Sequence, residues 1–339
     1  MDYEFHGLTS TDHGLITFDS QSPLLVFSSS ELARWLRILD EMAETPLHRK
    51  IMYAAADALE CCSNFGLNIP RGWRRMKNFA EDVKPLWNDF GWGMFHPHDS
   101  YIDTSFHQEL SEGFALALME SFHQKRLTPS SRYVNDQTIQ LSFSASGRPM
   151  MALSPLSNFD WEHKQNSTQL VPFTMDIDRR ERAWFIDDQR SALIPNEFFR
   201  RLYSVMLPLT FDTKHRHNEL LEIRGVQSLQ IHVIRSAILA AFTGEYTSNS
   251  TCFVNEESDW VAHLDIQVKN RGYGLCRIHR YDTSLNKSCT IWLEAINSPY
   301  LIGKIWALWE KSVGCTTKLI VDCKKNAIIL NFSSYLIEG

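Results

Sequence analysis

Two alanine-rich segments of the chain, residues 50–62 and 229–242, have the composition of helices that pack closely against a neighbour. A shorter amphipathic pattern precedes each of them, and residues that can cap a helix stand at its start. The capping candidates are Ser29-Ser30-Glu31 in the first case and Pro195-Asn196-Glu197 in the second. Each half of the chain is therefore predicted to open with two helices.

Large apolar residues alternate with a period of two at 139–144 and again at 328–333, which predicts a closing strand in each half. Other landmarks recur between these points in the same order. Gly91-Trp92-Gly93 corresponds to Gly272-Tyr273-Gly274, and we predict strands around both. The segment 113–121 matches 303–311 with four identities in nine positions, and a helix is predicted to begin near each glycine. The chain is therefore interpreted as an internal repeat.

The recurring landmarks place the two units at about 20–145 and 190–337, with helices and strands mixed in each. The segment 146–189 belongs to neither unit and is predicted to be a linker. Its mixed-charge run at 176–182 is typical of a solvated helix or turn. The second unit has a longer interval between its landmark glycines, so residues 280–297 are predicted to extend a hairpin that the first unit has shortened.

Composition limits the classes of partner. A length of 339 residues allows two domains or one repeated unit. A net charge of -6 disfavours nucleic acid as a partner. No apolar run reaches 18 residues and the first ten residues lack the pattern of an export signal, which predicts a cytoplasmic protein without a membrane span. Seven cysteines without a CxxC pair favour reduced thiols over a disulfide framework.

Histidines supply the densest group of candidate ligands. His96, His98 and Asp99 lie together, and histidines two apart on a strand share one face, as a metal or an axial tetrapyrrole ligand requires. A turn is the favoured alternative, because Pro97 cannot donate to a strand partner. In the register of the repeated glycines, His98 corresponds to His279. A second pair in 214–219 is interpreted as a solvated loop.

These landmarks resemble those of the 4-vinyl reductase domain family, which includes a protein of bacteriochlorophyll synthesis, aromatic-sensing domains of bacterial activators and distant relatives among TRAPP trafficking subunits. The resemblance rests on Gly91-Trp92-Gly93 and Gly272-Tyr273-Gly274, on Asn297-Ser298-Pro299, on Gly303 and on the last strands. It implies an α/β (α+β) fold in which each of two tandem divergent units is an antiparallel sheet backed by helices. The two units would form an intramolecular pseudo-dimer. Ligand-binding members have an apolar pocket for a hydrocarbon or tetrapyrrole.

The chain departs from the metal-binding members of that family, which end in a cysteine-rich stretch. Here the second unit offers Cys315 and Cys323, and the later position is taken by apolar residues 328–330. A zinc site of three or four thiolates cannot be assembled from these residues, so no metal is expected. No nucleotide-binding or hydrolase motif is present either.

Ten tryptophans and twenty phenylalanines are the remaining indication of function. Most are expected in the core, but an aromatic-lined pocket would suit a planar apolar ligand. Arginines before residue 78 could bind the carboxylates of a tetrapyrrole. The candidate ligand-binding residues are Trp92, His98, Tyr273, His279, Trp306, Trp309, Arg74 and Arg75.

The leading prediction is a binding protein for a tetrapyrrole precursor or hydrocarbon, serving pigment biosynthesis and acting without catalysis. No cofactor follows from the sequence itself; a bound tetrapyrrole is implied by the resemblance alone. Two alternatives stay open. One is a reductase or accessory factor of tetrapyrrole synthesis, and the other is a scaffold resembling the TRAPP subunits, whose partner would be a protein.

Overall fold

Helices and strands are mixed along the described chain. The computed structural model describes residues 8–18, 22–62, 74–135, 137–150, 153–162, 169–180, 182–212, 214–254, 256–282 and 287–335. Their helices are α1 (Ser29–Met42), α2 (His48–Cys61), α3 (Arg75–Asp89), α4 (Gln108–His123), α5 (Asn196–Met206), α6 (Ser228–Tyr246), α7 (Glu257–Leu264) and α8 (Ser298–Val313). The predicted mixed α/β class is confirmed.

The strands of the described residues form three sheets. They are β1 (Leu8–Thr11), β2 (Ile16–Phe18), β3 (Ser22–Ser28), β4 (Met94–His96), β5 (Tyr101–Asp103), β6 (Leu127–Tyr133), β7 (Ile139–Ala145), β8 (Leu170–Pro172), β9 (Asp178–Arg180), β10 (Ala183–Ile186), β11 (Gln189–Pro195), β12 (Leu221–Arg224), β13 (Gly274–Asp282), β14 (Ser288–Ala295), β15 (Thr317–Cys323) and β16 (Ile328–Ser334).

The central sheet has seven strands in the order β8-β1-β2-β3-β11-β10-β9. A four-stranded sheet, β4-β5-β7-β6, belongs to the first half, and a five-stranded sheet, β12-β15-β16-β14-β13, belongs to the second. The shared part of the two outer sheets has the same order, since β4, β5, β7 and β6 occupy the places of β13, β14, β16 and β15. Strand β12 is an addition of the second half and pairs in parallel with β15.

The two halves meet at β3 and β11, which pair antiparallel with Val26 opposite Leu193. Helix α1 follows β3 directly and α5 follows β11 in the same way, so these two strands occupy corresponding places. The pairing is symmetric about Val26 and Leu193. Phe27 of β3 faces Ala192 of β11, and in the same way Ile194 of β11 faces Leu25 of β3. The helices cross in the same manner, α1 against α6 and α5 against α2. That the halves act as a pseudo-dimer of the predicted units stays a prediction.

Equivalent glycines set the packing of the long helices in both halves. A methyl group on Gly113 of α4 would overlap the carbonyl oxygen of Met52 in α2, and one on Gly303 of α8 would overlap that of Ile238 in α6. Only glycine permits this approach of two backbones. The same contacts align Ala56 of α2 with Phe242 of α6, because the added methyl group would also lie against the backbone nitrogen of each.

Several sequence predictions are corrected by the backbone. Gly113 and Gly303 lie inside α4 and α8 instead of near their first residues. Gly91 and Gly93 lie in a turn before β4, with φ of 75° and 102°, where a strand was predicted. The extended hairpin of the second half is confirmed, since β13 and β14 have nine and eight residues whereas β4 and β5 have three each.

The segment between the predicted units takes part in the fold. It contributes β8, β9 and β10 to the central sheet, and its Phe159 and Trp161 are buried. The mixed-charge run at 176–182 therefore includes strand β9 instead of a solvated helix. No described helix is both long enough and apolar enough to cross a membrane.

Candidate functional site

The aromatic residues predicted to bind a ligand lie in the core. Trp92, Tyr273, Trp306 and Trp309 are each at most 2% exposed. Trp92 donates to the carbonyl oxygen of Leu193 at 2.7 Å, and Trp306 donates to the Thr317 hydroxyl at 3.0 Å. Described residues bound three cavities, and none of these four side chains lines any of the three. Their role in ligand binding stays a prediction.

The predicted polar ligands lie apart from one another. His98 is on the turn between β4 and β5, with its side chain 80% exposed, and it bonds Asp99 at 3.0 Å. His279 lies at a bulge in β13, with its ring 4.4 Å from that of Trp292. His96 stacks on Tyr101. Within the described residues, no group of three histidine, cysteine or acidic side chains is arranged to hold a metal ion.

The two predicted arginines lie at the start of α3. Arg74 is the residue that precedes the helix, and both side chains are exposed. Arg75 donates to the carbonyl oxygen of Phe122 at 3.0 Å and lies over its ring, 4.2 Å from the ring centre. The guanidinium of Arg75 is thus engaged with α4. The neighbouring residues 71–73 lie outside the described residues.

The interpretation of 214–219 as a solvated loop is wrong at His217. This residue is 1% exposed and its Nε2 lies 3.2 Å from Oε2 of Glu310 on α8. Its ring packs on Phe242, with the ring centres 4.3 Å apart. The neighbouring His215 bonds the Thr243 hydroxyl at 3.1 Å. Both imidazoles therefore fill a gap between the loop and α6 and α8.

A buried group of three charges lies where α1, α8 and the turn before β13 meet. Glu31 belongs to the first turn of α1 and completes a capping box with Ser28. One of its carboxylate oxygens accepts a hydrogen bond from Arg271 at 2.5 Å, and the other accepts one from Lys304. Lys304 is 3% exposed and lies directly after Gly303, which holds α8 close to α6. We call these three residues the charged triad.

The charged triad has two cations and one anion. Burial alone would raise the pKa of Glu31, but Lys304 and Arg271 outweigh it and hold that pKa well below its usual value of 4.5. Burial lowers the pKa of Lys304, and the charge of Arg271 lowers it further against the opposing effect of Glu31. One carboxylate therefore does not compensate both cations, and an excess positive charge remains buried.

A cavity of about 390 Å³ opens onto the charged triad. Its other walls carry Arg34, Gln189, Glu245, His263, Gln267 and the hydroxyl-bearing segment 248–251. Glu245 is already bound by the hydroxyls of Ser248 and Ser250 and lies 3.8 Å from Lys311. His263 Nε2 and Gln267 Oε1 are buried and have no hydrogen-bond partner among the described residues. The walls thus present hydrogen-bonding atoms and cations, and the volume suits a small metabolite.

The same place in the first half is apolar. Arg271 precedes the glycine turn of the second half, where Phe90 precedes that of the first. Lys304 follows Gly303, where Phe114 follows Gly113. Counted from the first residues of α1 and α5, Glu31 corresponds to Phe198. This is one residue beyond the match between the capping segments in the sequence. All three phenylalanines are at most 2% exposed. The corresponding place in the fold is therefore occupied by apolar side chains, so this position does not require charged residues in both halves.

A different cavity, of about 460 Å³, shares Gln189 and Arg271 with this one. It is lined by Asp176, Asp178, Asp187 and Asp188. These aspartates are not the partners of Arg271, because its guanidinium already bonds Glu31. The charged triad faces the cavity of 390 Å³ through Lys304, which does not line the acidic cavity.

The charged triad was not predicted from the sequence. Lys304 and Arg271 lie next to repeat landmarks, and a comparison of the halves at those positions would have shown a cation in place of each phenylalanine. No protein-family model matches the chain, and no curated protein or solved structure matches it.

Proposed function

We propose that this protein binds a small molecule that carries an oxyanion group, a carboxylate or a phosphate, in the cavity beside the charged triad. The excess buried cation carries the proposal, because a bound anion would neutralise it. Lys304 and Arg271 supply the charge, and the Thr251 hydroxyl and the His263 ring, which line the same cavity, can donate hydrogen bonds. Charge-assisted bonds of this kind are among the strong ones in proteins.

The proposal keeps the class of function predicted from the sequence and changes the part of the ligand that is recognised. A tetrapyrrole or other planar apolar ligand stays a prediction, and its carboxylates are the groups that this cavity would bind. At about 390 Å³ the cavity holds a small acid or the acidic end of a larger one.

Thermal unfolding in sulfate and in chloride, at equal ionic strength, tests the proposal. An anion that binds only the folded protein adds about 2.7 kcal/mol at a hundred times its Kd. We expect sulfate to raise the Tm of the natural protein above its value in chloride. Lys304→Met should abolish that difference. Lys318→Met removes an equal charge from an exposed pair with Glu222 and should preserve it.

Two results would overturn the proposal: an equal Tm in both salts for the natural protein, or an undiminished sulfate effect in Lys304→Met. In a separate experiment, mass spectrometry of small molecules released from protein purified from its source identifies the natural ligand. Acids bound to the natural protein and absent from Lys304→Met are the expected finding.

A further inference from the structure

The second half fills one internal space with its own histidines. The connection between α5 and α6, residues 207–227, is 21 residues long and carries His215 and His217 into that space. His217 is bonded to Glu310 and packs between Phe242 and Trp306, with ring centres 4.3 and 5.4 Å away. This arrangement shows which chemistry the space accepts, namely a planar nitrogen ring.

The first half lacks the corresponding segment. Its connection between α1 and α2 has only five residues, 43–47. The side chains at the matching positions are also smaller, because Ala56 replaces Phe242 and Leu116 replaces Trp306. Between them lies a cavity of about 510 Å³ that Ala56 and Leu116 both line. The space that the second half fills is thus left open by the described residues of the first half.

The acceptor groups of the second half are nevertheless kept. Glu120 corresponds to Glu310, and each accepts a hydrogen bond at 2.7 Å from the backbone N–H of the next strand, at Leu127 and Thr317. Asp57 corresponds to Thr243, the residue that bonds His215. The open cavity therefore carries acceptors at the positions that hold both imidazoles in the other half.

One carboxylate of the cavity is available to accept a hydrogen bond from a base. Arg126 bonds Glu120 at 2.6 Å and Glu60 at 2.7 Å, so it takes the place of His217 as the donor to Glu120. Asp57 forms no side-chain hydrogen bond with another described residue, and burial raises its pKa while Arg201 and Arg126 oppose that rise. Arg148, at the exposed margin, is the remaining cation of the wall. Two carboxylates, Asp57 and Glu120, and two arginines, Arg126 and Arg148, line the cavity. Within the described residues, Asp57 is the carboxylate of this wall that has no side-chain donor.

The edge of the neighbouring strand disfavours a peptide strand paired as β12 is in the second half. In the second half β12 pairs with β15, and Leu319 N–H donates to the carbonyl oxygen of Leu220 at 2.9 Å. The corresponding residue of β6 is Pro129, which has no N–H to donate. A strand therefore cannot pair with β6 in that register, and edge prolines are a common protection against such pairing.

We propose that this cavity is a second binding site, for a small planar nitrogen base whose N–H group donates to Asp57 and whose ring packs on Ala56 and Leu116. The site is independent of the charged triad and takes a ligand of the opposite charge. Tyr53, 44% exposed at the margin of the cavity, offers an aromatic face to the same ring.

Calorimetric titration with 4-methylimidazole, the free form of the histidine side chain, tests this second site. Toluene and benzoate serve as neutral and anionic rings of similar size. We expect the base to bind with a Kd on the order of 1 mM, as befits so small a ligand, and at least about tenfold more tightly than either comparison ring. Asp57→Ala, which removes the acceptor, should weaken binding at least about tenfold.

Ala56→Phe imports the larger residue of the second half and should abolish binding by filling the cavity. The sulfate effect on Tm checks that both variants are folded. It depends on the charged triad, so it should persist in each of them. Three outcomes would refute the second site: no binding of 4-methylimidazole at about 10 mM, equal binding of all three rings, or unchanged binding in both Asp57→Ala and Ala56→Phe.

Discussion

Lys304 and Glu31 bond each other directly, yet their removal should have opposite consequences for stability. Lys304→Met leaves Glu31 paired with Arg271 and removes the uncompensated cation, so the free energy of unfolding should rise or stay within about 1 kcal/mol. Glu31→Gln leaves two buried cations facing each other and should lower it by about 3–5 kcal/mol. Urea unfolding of both variants at neutral pH measures the contrast. A large loss in Lys304→Met would show that the lysine is needed for folding.

Acid should diminish the contribution of Glu31. Its pKa in the folded protein lies below the ordinary value of 4.5, so the unfolded chain binds the proton more readily. The stabilisation is fully present above pH 4.5 and is lost as the pH falls toward the folded pKa. The difference in unfolding free energy between the natural protein and Glu31→Gln should therefore shrink below pH 4.5. A difference that is constant with pH would contradict this assignment.

His263 should make anion binding depend on pH. Burial lowers its pKa, and the cations Lys304 and Arg271 lower it further against the opposing charge of Glu245. A bound sulfate would favour the protonated ring, so sulfate affinity should increase as the pH falls from about 7 to about 5. His263→Asn should flatten that dependence while leaving weaker binding in place. Calorimetry in sulfate is the measurement, because sulfate keeps its own charge over this range.

The elements that sequence patterns predicted well are those defined by contacts close in the chain. The alanine-rich helices were placed at 50–62 and 229–242 and occur at His48–Cys61 and Ser228–Tyr246. The closing strands β7 and β16 lie where the period of two placed them. In contrast, His217 finds its partner 93 residues away and Lys304 finds its own 273 residues away. Local periodicity contains no information about such partners, so the buried charges were missed.

The glycine contacts between the long helices make a prediction for both halves. Gly113→Ala and Gly303→Ala should each lower the free energy of unfolding by about 1–3 kcal/mol, because the added methyl group overlaps a backbone carbonyl. Gly244→Ala is the matched control. It lies in α6 with its nearest neighbours at 3.5 Å, so alanine should be neutral or stabilising there. Equal costs at all three positions would show that helix packing does not depend on these glycines.

Removing the plug from the second half should create the site that the first half already has. His217→Ala opens a space beside Glu310 and should lower the free energy of unfolding by about 2–4 kcal/mol, through lost packing and the loss of the partner of Glu310 Oε2. Added 4-methylimidazole should restore part of that loss. Thermal unfolding with and without the base measures the rescue, and toluene is the control ring. A loss that 4-methylimidazole does not reduce would mean that the space collapses when it is emptied.

At the scale of the whole molecule, each half covers apolar surface that the other would expose. Strand β3 pairs with β11 through five residues on each, and the helices α1 and α5 pack on α6 and α2 of the opposite half. A chain cut at the turn 187–188, between β10 and β11, would yield fragments 1–187 and 188–339. Co-expressed, these fragments should associate and unfold in one transition, since the cut leaves every strand and helix intact. Fragment 188–339 alone exposes the edge of β11 and should aggregate or pair with a second copy around Leu193. Light scattering after size exclusion measures its mass; a folded monomer with its own cooperative transition would show that the halves are independent domains.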